Sequence, residues 1–215
     1  MLIIFDLDDT LIDTSGCITP HKLAVALRCM IGEPAHFTAE LSALQGINQR
    51  VPKTPLAIEE YAAARGIDLK KAARAIQTLY DPLPDDFAIA CTPNAKEILK
   101  YYASRCPIAL VTGGHPPFQL EKLKKAGIEP SIFSKIAIPE DSIKQPFYRE
   151  FAKEFLASPA DVWVCGDRIP MDLKPAHELG FNTVHMRWGR GLQMAPEPWI
   201  KYSIADLSEL RKWIK

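Results

Sequence analysis

Apolar positions along this chain follow two periods. Leu2-Ile3-Ile4-Phe5 is an unbroken apolar run with β-branched members, the pattern of a strand covered on both faces. From about Pro20 to Tyr80 the spacing is helical. Leu23, Leu27, Met30 and Ile31 share a face, and the pattern returns over residues 56–64, ending near Gly66. Asp68 is placed to cap a further helix from Leu69 to Tyr80. No strand run interrupts this stretch. Asp13-Thr14-Ser15-Gly16 before it, and Asp81-Pro82-Leu83-Pro84-Asp85-Asp86 after it, read as linkers.

Beyond Asp86 the periods alternate. Thr92-Pro93 is expected to open a helix to about Ser104. Strand runs follow at Ile108–Thr112, within 131–138, at Val162–Cys165 and at Thr183–Met186. Helical stretches are expected at about 117–126, 147–156, 175–179 and 207–214. Strands alternating with helices imply βαβ units, right-handed crossovers and an α/β fold: a Rossmann-like open, mainly parallel sheet with helices on both faces. The expected division is a core of residues 1–13 and 87–215 and a small α-helical domain of residues 14–86.

Composition narrows the function classes. The 215 residues carry 26 Lys and Arg against 26 Asp and Glu, so no basic surface for nucleic acid or anionic lipid is expected. No apolar run approaches the roughly 18 residues of a membrane helix, and acids interrupt the first run too early for a signal peptide. The five cysteines are scattered and form no C-x-x-C pair, which suits a reducing, cytoplasmic setting. A monomer and a homodimer both remain open.

The chemistry collects where strands end. In open parallel sheets ligands bind beyond the carboxyl ends of strands. Four such ends supply Asp6-Leu7-Asp8, Thr112-Gly113-Gly114, a lysine near position 144, and Gly166-Asp167. Two carboxylates about 4 Å apart repel by about 4 kcal/mol at an effective dielectric of 20, a liability that a divalent cation removes. An isolated D-x-D also suits a solvated acidic turn. An EF-hand loop fails, because Leu11 stands where its glycine belongs and Cys17 where its bidentate Glu belongs.

The string Phe5-Asp6-Leu7-Asp8-Asp9-Thr10-Leu11 resembles the first motif of the haloacid dehalogenase-like (HAD) superfamily. Thr112 matches the second motif and Lys144 the third. Asp167 and Asp172, in Gly166-Asp167-Arg168-Ile169-Pro170-Met171-Asp172, match the fourth. The family often has Lys-Pro at the third motif. Here Lys144-Gln145-Pro146 stands there, and Lys135 competes for the role.

The resemblance implies a magnesium-dependent phosphatase acting on a small phosphorylated metabolite. Asp6 would be the nucleophile and would form an aspartyl-phosphate. Asp8 would be the acid and then the base, which requires its pKa to be raised in the substrate complex by desolvation and negative charge. Mg2+ would be held by Asp6, the Asp8 carbonyl and Asp167, with Asp172 behind them or acting through water. The phosphoryl group would be bound by Asp6, Leu7, Asp8, Thr112, Gly113 and Lys144. Asp9 is expected to face solvent or cap the turn. The insert after the first motif implies an α-helical cap, with Gln45–Arg50 as its expected specificity loop. Arg50, Lys53 and His115 are the candidates for substrate contact.

Other readings share these residues. A phosphomutase differs only in its acceptor. A phosphonate hydrolase needs a cap lysine, Lys22 or Lys53, to form a Schiff base. A haloalkanoate dehalogenase lacks the second acid. From another class, a phospho-acceptor signalling module also forms an aspartyl-phosphate, but is shorter and has no helical insert.

Overall fold

The computed structural model describes residues 1–215. The chain forms two compact units, one of Met1–Ser15 with Asp86–Lys215 and one of Gly16–Asp85. The first holds six strands: β1 (Leu2–Phe5), β2 (Ile108–Val111), β3 (Lys135–Ala137), β4 (Val162–Gly166), β5 (Asn182–Met186) and β6 (Tyr202–Ile204). They lie in the order β3-β2-β1-β4-β5-β6, and every pairing is parallel.

Every residue of β1 and β2 is buried, which explains why neither run alternates with polar residues. Alternate positions still separate by face. Leu2 and Ile4, Ala109 and Val111, and Val162 and Val164 join one core cluster with Tyr148 and Phe151. The latter two lie on helix α7 (Gln145–Glu154). The chain passes from β1 through β2 to β3, then returns across β1 to β4. That reversal opens a crevice at the carboxyl ends of β1 and β4. Register pairs Phe5 with Cys165, so Asp6 and Asp167 leave adjacent strand ends.

The sheet carries one strand more than the sequence pattern suggests. Tyr202-Ser203-Ile204 is short and buries only Ile204, so its apolar signal is weak. Rings support this edge: Tyr202 stacks on Trp213 at 4.5 Å and lies 5.7 Å from Trp163. The expected closing helix is a 3-10 helix, Leu207–Lys212. Its buried residues, Leu207 and Leu210, are three apart, the repeat of that tighter helix. Helix α5 (Ala95–Ala103) starts later than the Thr92-Pro93 signal. The Thr92 hydroxyl donates to the Thr10 carbonyl at 2.6 Å, and the helix begins behind Asn94, which takes the left-handed conformation at φ 60°. Helices α6 (Pro116–Lys125) and α8 (Lys174–His177) complete this unit with α7.

The second unit contains α1 (Thr19–Ile31), α2 (Phe37–Arg50), α3 (Thr54–Ala64) and α4 (Leu69–Gln77). Leu23, Leu27, Leu44, Ile58 and Tyr61 share its apolar core. The Asp68 side chain caps α4 by accepting from Lys70 N. Buried Lys22 donates to the carbonyls of Thr78 and Asp81, drawing α1 to the unit's exit. Gln45–Arg50 is not a loop. It forms the last turns of α2, because Leu44 and Ile47 bury into the helical core and hold that stretch in register. The stretch expected as a linker at 13–16 is partly ordered as a wide helical turn, Thr14–Ile18. No helix of the chain is long and apolar enough to cross a membrane.

Ile4 is fully buried at the centre of the sheet. Ile4→Ala is expected to destabilise the protein by about 2–5 kcal/mol, read as a lower midpoint in urea with an unchanged slope.

Candidate active site

The first motif turns sharply after β1. Asp6 N donates to the Cys165 carbonyl at 2.9 Å, continuing the ladder by one residue. The Leu7 carbonyl then accepts from the amides of Thr10, Leu11 and Ile12, which closes the turn. Leu7 itself is buried, and its side chain anchors this backbone. Asp9 sits in the left-handed region at φ 55°. It is buried rather than solvent-facing, and it accepts from Ser15 N at 2.7 Å and Ser15 Oγ at 2.6 Å. Asp9 therefore ties the first motif to the start of the following segment. A side chain on Gly189 would collide with its carboxylate.

Asp6, Asp167 and Asp172 converge, with one ligand atom from each lying within 4.8 Å of the others. Lys144, at the foot of α7, donates to Asp6 Oδ1 at 2.6 Å and to Asp172 Oδ1 at 2.5 Å. All four side chains are buried. Asp172 is brought in by a wide helical turn, Ile169–Leu173, and its Oδ2 accepts from Arg168 N at 2.9 Å. Gly166 makes room for it, since a Cβ there would fall 2.5 Å from the Asp172 Cβ. The Asp167 carbonyl lies 3.0 Å from His185 Nε2, which must donate because a carbonyl only accepts. Asp167 Oδ1 is buried with no hydrogen-bond partner.

Three acids are buried around Lys144, with Arg190 also in the field of Asp167, and the carboxyls raise one another. Burial pushes the Asp6 carboxyl up to about 7; Lys144 opposes that shift, while Asp172 and Asp8 add to it. Asp167 is driven well above the usual carboxylate range, first by burial and then by the charges of Asp172 and Asp6. Burial works against the Lys144 ammonium, but Asp172 and Asp6 outweigh it and hold it charged. An all-oxygen cluster with surplus charge and an orphaned carboxylate oxygen matches what a hard divalent cation takes as ligands.

Thr112 is buried at the end of β2, with its amide bonded to the Ala137 carbonyl at 3.1 Å. Gly113 follows where no side chain fits, because a Cβ would lie 2.5 Å from Ser142 Oγ. Lys135 is elsewhere. It lies at the start of β3 and pairs at 2.8 Å with Glu154, both side chains being largely exposed.

Asp8 is half-buried and tightly held. Lys122 Nζ donates to both carboxylate oxygens, at 2.8 and 2.9 Å. Gln119 Nε2 donates to Oδ2 at 3.0 Å, and the Thr14 hydroxyl donates to Oδ1. Burial raises the Asp8 carboxyl, yet Lys122 and these hydrogen bonds together bring it below its ordinary value. In the absence of substrate the shift thus has the opposite sign to that required of an acid. Lys122 and Gln119 escaped the sequence reading. Their one signal was spacing: they stand at i and i+3 on α6, on the side that also buries Leu123.

The remaining candidates lie at helix ends. His115 is exposed at the start of α6, and its carbonyl accepts from Gln119 N. Arg50 closes α2 and pairs with Glu60 at 3.4 Å. Lys53 is exposed just before α3.

Comparison with known proteins addresses the family and the fold. The family model of haloacid dehalogenase-like hydrolases matches residues 1–180. The glyceraldehyde 3-phosphate phosphatase of Methanocaldococcus jannaschii is 26% identical over 229 residues, covering 99% of this chain and 96% of its own. The enzyme of that name from Pyrococcus furiosus is 26% identical over 228 residues, covering 97% and 90%. Among solved structures, a HAD hydrolase of Bacillus subtilis bound to magnesium aligns with a TM-score of 0.68 at 19% identity, over 100% of this chain and 98% of its own. The L-2-haloacid dehalogenase of Xanthobacter autotrophicus aligns with a TM-score of 0.64 at 16% identity, over 99% and 97%. At those identities the structural likeness is one of fold. The family match over most of the chain shows that this protein belongs to the haloacid dehalogenase-like hydrolases.

Proposed function

We propose that this chain is a magnesium-dependent phosphomonoesterase that works on a small phosphorylated metabolite through an aspartyl-phosphate. One observation carries the reading. Asp6 lies buried at the end of the central strand, held by Lys144 at 2.6 Å, in an acid cluster with surplus negative charge. The names of the M. jannaschii and P. furiosus relatives support phosphoester hydrolysis and make a triose phosphate the first substrate to try.

The donor set assigns positions to the cation. Asp172 has both oxygens engaged, by Lys144 and by Arg168 N, whereas Asp167 Oδ1 has no partner. This supports a reading in which Asp6 and Asp167, with the Asp8 carbonyl that the family resemblance adds, would be the direct ligands and Asp172 would support them from behind. The chemistry a bound magnesium supplies is neutralisation of charge at the phosphoryl oxygens. Lys144 and Thr112, with the backbone of Leu7, Asp8 and Gly113, hold those oxygens.

In the first step an Asp6 carboxylate oxygen bonds to phosphorus as the ester P–O bond breaks. Asp8 gives its proton to the departing alkoxide oxygen. In the second, water attacks phosphorus, Asp8 takes a proton from it, and the bond to Asp6 breaks to release phosphate. Asp8 is ionised when no substrate is present, so its proton is acquired as substrate enters; the substrate's negative charge acts in that direction. The helical unit corresponds in chain position to the family's cap. Arg50, Lys53 and His115 are offered as its and the core's contacts to the substrate's non-phosphoryl part.

The test is release of inorganic phosphate from glyceraldehyde 3-phosphate and a panel of sugar, nucleotide and amino-acid phosphates, with and without magnesium. Metal-dependent turnover that vanishes in Asp6→Asn is the expected result. Conversion of substrate without free phosphate would indicate a mutase instead, and a stably phosphorylated protein that never turns over would indicate a phospho-acceptor. A second measurement needs no substrate. Magnesium at about a hundred times its Kd should stabilise the protein by about 2.7 kcal/mol, seen as a higher melting temperature. Asp167→Asn should show no such rise, and without metal should melt no lower than the parent, because it removes a carboxyl whose charged form burial disfavours.

A further inference from the structure

Nothing in the proposed chemistry explains why α6 directs a lysine and a glutamine inward. Lys122 is 6% exposed and Gln119 2%, unusual for residues that ordinarily reach solvent from a helix. The Lys122 ammonium straddles both oxygens of Asp8, with the Phe118 ring 4.9 Å from it. Two short bonds from one ammonium fix the place of the carboxylate, and the Gln119 and Thr14 donors on separate oxygens fix its plane. The Gln119 amide reaches further. Its Nε2 lies 3.0 Å from Asp8 Oδ2, 2.6 Å from Thr112 Oγ1 and 3.1 Å from the Gly113 carbonyl. A single NH2 group therefore stands at the junction of the first and second motifs. By giving a hydrogen to Thr112 Oγ1 it fills a lone pair there and leaves the threonine O–H to donate.

We propose that Lys122 and Gln119 are positioning residues, which set the Asp8 carboxyl to face the leaving oxygen and the Thr112 hydroxyl to face the phosphoryl oxygens before substrate arrives. This inference rests on the role assigned above to Asp8. Pre-set donors need no reorganisation during the reaction, which is where most electrostatic rate enhancement comes from. A one-ångström drift of such a group costs about a hundred-fold in rate. Lys122 keeps Asp8 from rotating toward Thr14 alone, and Gln119 links that restraint to the strand end of Thr112.

The test compares two esters in the magnesium-loaded enzyme. An alkyl phosphate needs a proton on its departing oxygen, whereas 4-nitrophenyl phosphate releases a stable phenolate without one. The measured quantity is kcat/KM, which reports only the first phosphoryl transfer. Lys122→Met is expected to lose at least about ten-fold on the alkyl ester and less than about three-fold on the aryl ester. Lys122→Arg, which keeps the charge and can still reach both oxygens, should recover part of the alkyl loss. Gln119→Leu should lose at least about five-fold on both esters, since Thr112 serves the phosphoryl oxygens common to them. Equal losses for Lys122→Met on the two esters, or no loss on either, overturn the inference for Lys122. An unchanged Gln119→Leu overturns it for Gln119. If Lys122→Met fails to fold, as a melting curve would show, the same ester comparison on Lys122→Arg and Gln119→Leu decides. A parent enzyme that hydrolyses neither ester defeats the phosphatase reading itself, an outcome distinct from an active parent with indifferent variants.

Discussion

Surplus negative charge at the end of β1 and β4 is the constraint on which the rest of the core depends. Asp6, Asp167 and Asp172 are buried within a few ångströms of one another, and Lys144 bonds directly to two of them. Such a cluster is costly in an apolar interior. It persists because the surroundings over-determine it. Parallel register fixes Asp6 against Gly166, the absence of a side chain at Gly166 admits Asp172, and the His185 ring clamps the backbone of Asp167. A sheet with the same strands in another order would part these acids. The order β3-β2-β1-β4 is therefore as much a part of the chemistry as the carboxylates.

The two aspartates of the first motif, two residues apart, are shifted in opposite directions by their surroundings. Asp6 is pushed toward neutrality by burial among other acids, and Asp8 is held ionised by Lys122. Environment, not residue type, divides their roles. The division needs two lysines from different helices, Lys144 at the foot of α7 and Lys122 in the body of α6.

Much of this was legible in the chain itself, for physical reasons. Strands buried on both faces leave unbroken apolar runs, so β1, β2, β4 and β5 announced themselves, and acids directly after such runs had few explanations other than a site. What remained hidden depended on contacts distant in sequence. Tyr202–Ile204 is a strand because β5 and an aromatic stack support it, not because its own pattern demands one. The polar stretch Gln45–Arg50 looked like a loop, but Leu44 and Ile47 carry the helix through it. Nothing in the local sequence sets Lys122 apart from Lys124 and Lys125 beside it. Only its approach to a residue 114 positions earlier gives it meaning. Asp9 was expected to face solvent or cap the turn, because no short pattern reveals that Ser15 will bond to it.

The Lys22 clamp on the carbonyls of Thr78 and Asp81 has an evolutionary corollary. An insertion whose two ends are already drawn together adds little closure entropy to its host, however long it grows. Substitutions among α1 to α4 can then accumulate without shifting any strand of the sheet. The Lys22 bonds thus bring the entry and exit of the helical segment together from within the segment itself.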